Sequence, residues 1–405
     1  MKRRPARPAG LMPSLPRRPA RPAPPPPRSA TAPTAPAAVL RVSRENTLFQ
    51  HLQTLQRNRN KRHRAGEFVV EGVRAINQAL AHRWTVKALV YGAGRPLSAW
   101  ARGVLAGAPD ATRVEMLPAL LQRLSDKEET SELLAVLAIP PDSTARLPQR
   151  ALPLEGPDQP DQPDQPGPSD QVGGPGDPSR PGGPGGPLLV AVFDRPVYPG
   201  NLGQVIRAAD ALGAGGLIVS GHGADVYDPL TVRASMGSLF ALPVVRLPSH
   251  REVGEWVEGL RRAAPGAPGA PGAPRGPRPG RASGGAPHPE GSRVEPAQRA
   301  IPEGVQQASD PGRGGHGTGR LQIVAGSGEA QTPLEEVDLT RPTVLVFGNE
   351  TRGLSAAYRD LADVLARIPM QGAADSLNVA SAATILLYEA SRQRRAAGRP
   401  PQRPA

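Results

Sequence analysis

The chain has 405 residues, of which 51 are Pro and 46 Gly, together about a quarter, where ordinary globular usage is about 12%. Its formal charge of +13 points to a polyanionic partner, either nucleic acid or an anionic membrane surface. It contains no cysteine, which excludes a disulfide framework, a thiolate nucleophile and any Cys-ligated zinc or iron–sulfur centre.

The first 44 residues hold ten Lys/Arg and no Asp/Glu in Pro/Ala-rich sequence, so residues 1–45 are predicted to be a disordered basic arm. An RNA-binding role and a functionless tail fit that composition equally. The arm lacks the apolar core of a secretory signal. The longest apolar runs, such as Leu188 to Phe193, fall well short of the roughly 18 residues of a spanning helix. A cytoplasmic protein that does not enter membranes is expected.

Residues 46–140 have the pattern of a small α/β domain. Leu48, Leu52 and Leu55 recur at helical spacing, and Phe68-Val69-Val70 suits a strand. Ile76 and Leu80 suit a helix, Val86 to Tyr91 a strand, Leu117 to Leu124 a helix and Leu133 to Ile139 a buried strand. Between the first helix and strand lies the basic run Arg57-Asn58-Arg59-Asn60-Lys61-Arg62-His63-Arg64. Such a run is ordinarily a solvated helix end. On a nucleic-acid-binding domain, Arg57, Arg59, Lys61, Arg62 and Arg64 become phosphate contacts.

Residues 141–187, with Asp-Gln-Pro repeats followed by Gly/Pro-rich sequence, are predicted to be a linker. A second α/β domain spans 188–395. Strands are expected at 188–193, 216–220, 241–247, 321–325, 343–348 and 364–370. Helices are expected at 201–213, 230–237, 250–262, 355–362 and 376–395. The Ala-Pro-Gly tract 263–320 should be a disordered insertion in this domain, and 396–405 a disordered tail.

Three segments of the second domain stand out. The first, Pro199-Gly200-Asn201-Leu202-Gly203-Gln204-Val205-Ile206-Arg207, follows a strand, with Asn201 suited to capping a helix. Arg207 falls off the apolar positions Leu202, Val205 and Ile206; on that ground alone it is a surface cation. The second, Phe347-Gly348-Asn349-Glu350-Thr351-Arg352-Gly353-Leu354-Ser355, follows an apolar strand, where open α/β sheets bind ligands; a plain turn, with Ser355 capping the next helix, is the alternative. The third runs Ile368-Pro369-Met370 to Asp375-Ser376-Leu377-Asn378-Val379-Ala380; Ser376 or Asp375 could cap the last helix, which leaves Asn378 harder to explain.

Familiar sites are missing. Gly213-Ala214-Gly215-Gly216 lies after a helix, the reverse of a dinucleotide fingerprint, and Gly326-Ser327-Gly328 lacks a third glycine. There is no Gly-Lys-Ser/Thr phosphate loop, zinc-binding His-Glu-x-x-His or Gly-x-Ser-x-Gly elbow.

Taken together, the three segments resemble the signature motifs of the SpoU (TrmH-like) RNA ribose 2′-O-methyltransferases of the SPOUT superfamily. Tyr227 to Phe240 resembles the stretch between the first two motifs. Arg64-Ala65-Gly66-Glu67-Phe68-Val69-Val70-Glu71-Gly72 is similar to the substrate-binding domain that precedes many SpoU catalytic domains. The resemblance covers about 46–140, 188–260 and 321–395. It implies a trefoil-knotted α/β catalytic domain that binds S-adenosylmethionine in a bent form, and a homodimer with the site near the interface. It places cofactor contacts at Gly348, Ile368 and Leu377, with Met370 close by. Asn201, Arg207, Glu350, Ser376 and Asn378 match positions associated with catalysis and RNA binding, and no metal is implied.

Methyl transfer from a sulfonium is an in-line displacement in which positioning supplies much of the acceleration. A guanidinium is not a proton acceptor, so Arg207 is expected to hold a neighbouring phosphate and stabilise the developing alkoxide, with Glu350, Ser376 and Asn378 orienting the hydroxyl and loops. The implied substrate is structured RNA, with ribosomal RNA of the 23S type favoured over tRNA. A non-catalytic RNA-binding or ribosome-assembly factor is the alternative from another class.

Overall fold

The computed structural model describes residues 39–125, 130–149, 186–264 and 320–398. The predicted arm up to residue 38, most of the linker, the insertion from 265 to 319 and the tail from 399 lie outside the described residues.

The first module is a five-stranded mixed sheet in the order β1-β4-β3-β5-β2, built from Val39–Val42, Thr112–Met116, Val86–Gly92, Leu133–Ala138 and Glu67–Glu71. Its first strand falls within the residues predicted to be an arm, and pairs in parallel with β4 from Val39 against Arg113 to Val42 against Met116. Helix α1 (Thr47–Arg57) buries Phe49, Leu52 and Leu55, the three-to-four spacing of an amphipathic helix, and is capped by the Asn46 side chain. Asn58 ends α1 and its side chain caps α2 (Arg59–Ala65), so the basic run is a turn and a short helix. The helices α3 (Val73–Ala81), α4 (Ala99–Gly107) and α5 (Pro118–Leu124) complete the module. The sequence assigns no element to α4 or β4.

The second module is a seven-stranded, all-parallel sheet: β10-β12-β9-β11-β6-β7-β8. In that order the strands are Thr332–Pro333, Val364–Arg367, Gln322–Gly326, Thr343–Phe347, Leu189–Asp194, Gly216–Ser220 and Val244–Leu247. The central strands are largely apolar because both faces are covered. Leu189, Ala191 and Phe193 point into the core beneath α6 (Pro199–Ala211) and α11 (Val379–Ala397), whereas Val190 and Val192 face α9 (His250–Ala263) and α10 (Ala356–Leu361). Gly203 lets α6 lie against α7 (Pro229–Ala234): a Cβ there would stand 2.5 Å from the Thr231 carbonyl oxygen. The predicted strand 241–247 begins later, since Ser238–Ala241 closes as a short helix, α8.

The two modules share one core. Phe68 packs on Tyr227 with ring centroids 4.8 Å apart, and Trp84 meets Phe240 edge-on at 5.2 Å while its indole N–H donates to the Phe240 carbonyl. The start of the predicted linker belongs to this body. Asp142 pairs with Arg246, and Leu147 is buried beneath Gly216.

Candidate active site

Strand order reverses between β6 and β11: from β6 the chain proceeds outward through β7 and β8, then returns to the other side through β9 and β11. Parallel sheets bind ligands at the carboxyl ends of strands flanking such a reversal. A cavity of about 930 Å³ opens there. It is bounded by the ends of β9 (Gly326-Ser327-Gly328), β11 (Phe347 to Leu354) and β12 (Ile368 onward), and by the start of α6.

Glu350 joins the first two motifs. Its Oε2 accepts from the Val197 N–H at 2.8 Å and its Oε1 from the Tyr198 N–H at 3.0 Å, with the Asn201 amide at 3.4 Å from Oε1. Tyr198 is the N-cap of α6 and makes no side-chain cap bond, so a carboxylate from another strand satisfies the helix start and complements its dipole. Asn201 therefore does not cap the helix as expected. It lies in the first turn with its side chain turned to the cavity, where its Oδ1 accepts from Asn378 at 3.2 Å.

Asn378, rather than Ser376 or Asp375, caps α11, its Oδ1 accepting from the Ala380 N–H at 2.8 Å. One side chain thus ends the third motif loop and reaches the first motif. Asn349 organises the second motif. Its amide donates to the Arg195 carbonyl at 2.6 Å, while its Oδ1 accepts from the backbone N–H groups of Thr351 and Arg352. Ser355 stands at the N-cap of α10 but makes no side-chain cap bond.

At Gly348 the turn folds back so tightly that a Cβ would stand 2.4 Å from the Leu354 nitrogen. This keeps backbone, not side chain, at the cavity wall. The lining also includes the exposed loop with Met370, Ser376 and Leu377, together with Ile368. A roomy, part-apolar cavity with bare backbone has the room and polarity for a ligand the size of S-adenosylmethionine, and Gly348, Ile368, Met370 and Leu377, the expected cofactor contacts, all line it.

The cavity therefore gathers Asn201, Gly348, Glu350, Ile368, Met370, Ser376, Leu377 and Asn378. Arg207 is not in its wall. It is exposed on α6, three residues beyond Gln204, itself three beyond Asn201; the latter two line the cavity. At about 3.6 residues per turn, Gln204 lies about 60° and Arg207 about 120° around the helix from Asn201, so Arg207 stands off the cavity-facing side, and it makes no hydrogen bond or ion pair among the described residues. Asn349 and Gln204, which the sequence did not single out, belong to the site. Their signal was position, at a strand end and one turn into the following helix.

Of the basic run, Arg57, Lys61 and Arg64 are exposed and Arg59 is half-buried. Arg62 is a correction: only 2% exposed, it cannot contact RNA. Its Nε donates to Asp225 at 2.8 Å, its Nη1 to the Leu55 and Gln56 carbonyls at 2.9 and 2.8 Å, and its Nη2 reaches Asp225 and Asp228 at 2.7 and 3.3 Å. His63 approaches the other Asp225 oxygen at 2.9 Å. Burial alone raises the Asp225 pKa, but His63 and the Arg62 guanidinium outweigh it and hold the carboxyl at about 2. No cluster of His, Cys, Asp or Glu suited to a metal ion occurs among the described residues, and no described helix is long and apolar enough to cross a membrane.

Residues 46–135 match the family described as SpoU L30e-like domain, and residues 188–263 and 316–388 match the SpoU rRNA Methylase family. A Streptomyces viridochromogenes protein named 23S rRNA (uridine(2479)-2′-O)-methyltransferase is 39% identical over 354 residues, 87% of this chain and 92% of that one. The crystal structure of the SpoU methyltransferase AviRb from the same organism, in complex with the cofactor AdoMet, aligns with a TM-score of 0.60 and 38% identity, covering 86% of this chain and 98% of that one. The 23S rRNA (guanosine-2′-O-)-methyltransferase RlmB of Pseudomonas syringae is 29% identical over 52% of this chain and 61% of its own length.

Proposed function

The chain belongs to the SpoU rRNA methylase family, and from that premise we propose that it transfers a methyl group from S-adenosylmethionine to a ribose 2′-hydroxyl of ribosomal RNA of the 23S type. The observation that carries this reading is the convergence of three separate motifs, through Asn201, Glu350 and Asn378, on the cavity at the carboxyl ends of the parallel strands. Bound there, S-adenosylmethionine supplies a sulfonium-activated methyl group.

The chain's own residues position the acceptor. Glu350, held by the Val197 and Tyr198 N–H groups, fixes the entrance of α6. The Asn201–Asn378 pair sets the distance between the first and third motifs. Arg207, exposed on α6 less than two turns beyond Asn201, is assigned to hold the phosphate beside the reacting ribose and to offset the charge that grows on its oxygen. The preference for rRNA over tRNA rests on the two-module layout, shared almost end to end with the Streptomyces relative. A trefoil knot and a homodimer are part of the same proposal. Ile385 and Tyr388, exposed by 37% and 51% on α11, supply an apolar face for a second copy.

The test is transfer of labelled methyl from S-adenosylmethionine to in vitro transcripts of 23S rRNA and of tRNA, followed by mapping of 2′-O-methyl positions. A single modified ribose in the 23S transcript is expected. Modification of the tRNA alone would reassign the substrate, and cofactor binding with no transfer to either would favour the assembly-factor reading.

A further inference from the structure

Beside the cavity lies a second depression of about 470 Å³, formed where the first module meets the second. Arg59 enters it from α2, and its Nη1 donates to the Gly223 carbonyl after β7. Arg195 and His222 enter from the ends of β6 and β7, and Arg352 from the second motif. Among the described residues no carboxylate lines the depression. Arg195 is bound in a fork to Asp194, with both contacts at 3.0 Å, and is partly neutralised. Arg59 donates to a neutral carbonyl and keeps its charge. The Arg352 side chain has no hydrogen-bond or ion-pair partner among the described residues, and it is exposed, as is His222.

The depression and the larger cavity share a wall, because Asn349, Thr351 and Arg352 line both. A polymer whose ribose enters the cavity therefore has its adjoining backbone within reach of the cationic depression. The turn between them is rigid: Asn349 and Gly353 exchange backbone hydrogen bonds at 2.9 Å each way, and the Asn349 amide is tied to the Arg195 carbonyl.

We propose that this cleft, through Arg59, Arg352 and His222, binds the RNA phosphodiester backbone next to the modified nucleotide, so that a cation from the first module is part of the catalytic module's substrate site. The proposal rests on the RNA-methylating reading above. It also assigns the basic run a specific contact: Arg59, which lines the cleft beside the active-site cavity, and not Arg62, which ties the modules together. Surface cations remote from the cavity add only a diffuse field. A pair of arginines across a shared wall fixes the register of the strand, since phosphate contacts position a nucleic acid without reading its sequence.

The test compares Arg59→Gln, Arg352→Gln, their double variant and Arg59→Lys with the wild type for binding to a 23S rRNA transcript between 50 and 200 mM salt. Each Gln variant should flatten the dependence of log affinity on log salt by about 1, and the double variant by about 2. Arg59→Lys should keep the wild-type slope. Calorimetry with S-adenosylmethionine should give the wild-type affinity for Arg59→Gln, showing that its fold is intact. A Gln variant with the wild-type slope overturns the proposal, even if it binds RNA more weakly, because loss of the Gly223 contact alone changes affinity without changing the number of neutralised phosphates. If the wild type binds S-adenosylmethionine but no RNA at 50 mM salt, the RNA-methylating reading itself has failed, an outcome distinct from wild-type binding with unaltered variant slopes.

Discussion

Asn378 has two tasks, and two substitutions separate them. Alanine removes both the cap on α11 and the contact to Asn201; loss of such a cap costs about 1 kcal/mol. Aspartate keeps the cap acceptor but cannot donate to Asn201. Thermal melts should therefore show Asn378→Ala destabilised and Asn378→Asp near wild type, while single-turnover methyl transfer falls in both. Equal turnover by the aspartate variant and the wild type would show that the Asn201 contact does not position the reaction. Arg207 has no partner to lose among the described residues. Arg207→Ala should leave stability and S-adenosylmethionine affinity unchanged and lower single-turnover transfer by about 10²- to 10³-fold, the loss typical of removing one charge-stabilising donor. Intact turnover would remove Arg207 from the mechanism. The residue types of the site stood in the sequence, where each segment alone also suited a plain turn or a helix cap, and only their resemblance to one family's motifs marked them as a site. Their division of labour could not be read there. Asn201 as cap and Asn378 as a residue without a structural task were reversed, because which asparagine meets a bare helix terminus depends on where another strand ends.

At the scale of elements, the apolar strands of the parallel sheet and the long last helix were visible as continuous or periodic runs. Helix α4 and strand β4 were not. Gly103 and Gly107 dilute the helical stripe of Ala101, Val104 and Leu105, and Arg113 and Glu115 alternate with the buried Val114 and Met116 over only five residues. The same limit hid Arg62, a member of a basic run by sequence and a buried latch in the fold. Against the effect of burial, the hydrogen bond from His63 and the ion pair with Arg62 together hold the Asp225 carboxyl at about 2, below its ordinary value of 3.8, and that sets the sign of a pH dependence. The stabilisation is fully present above about pH 4 and is lost as pH falls through about 2; a shift of this size corresponds to roughly 2 kcal/mol. Urea unfolding between pH 5 and 2 should show the loss in the wild type and a shallower one in Asp225→Asn. Arg62→Met strands Asp225 as a buried, under-compensated carboxylate and should cost about 3–5 kcal/mol at neutral pH. A cost below 1 kcal/mol would mean that His63 and the backbone suffice.

For the whole molecule, the continuous core from Phe68 and Trp84 to Tyr227 and Phe240 makes the modules one thermodynamic unit. Urea transitions should coincide when followed by fluorescence of Trp256→Phe, which keeps Trp84 and Trp100 of the first module, and of Trp100→Phe, which keeps Trp256 on α9 and the interfacial Trp84. Separate midpoints would show that the interface is too weak to couple them. Saturating S-adenosylmethionine should raise both midpoints together, by about 2.7 kcal/mol of stability at a hundredfold excess over its dissociation constant.

By itself, the sequence determined that the protein is two α/β modules with Pro/Gly-rich spacers, that its charge suits a polyanion, and that three motifs of one family lie in order along the second module. The modules and the charge reside in local composition and periodicity, and the motifs were known by their resemblance to a family; neither needs knowledge of distant contacts. Only the tertiary structure decided that Glu350 serves as the acceptor at the start of α6, that Arg62 is buried while Arg59 reaches toward the site, and that the modules share a core. Each of these is a meeting of residues distant in the chain, created by the strand order, and no local pattern encodes which partner a side chain will find.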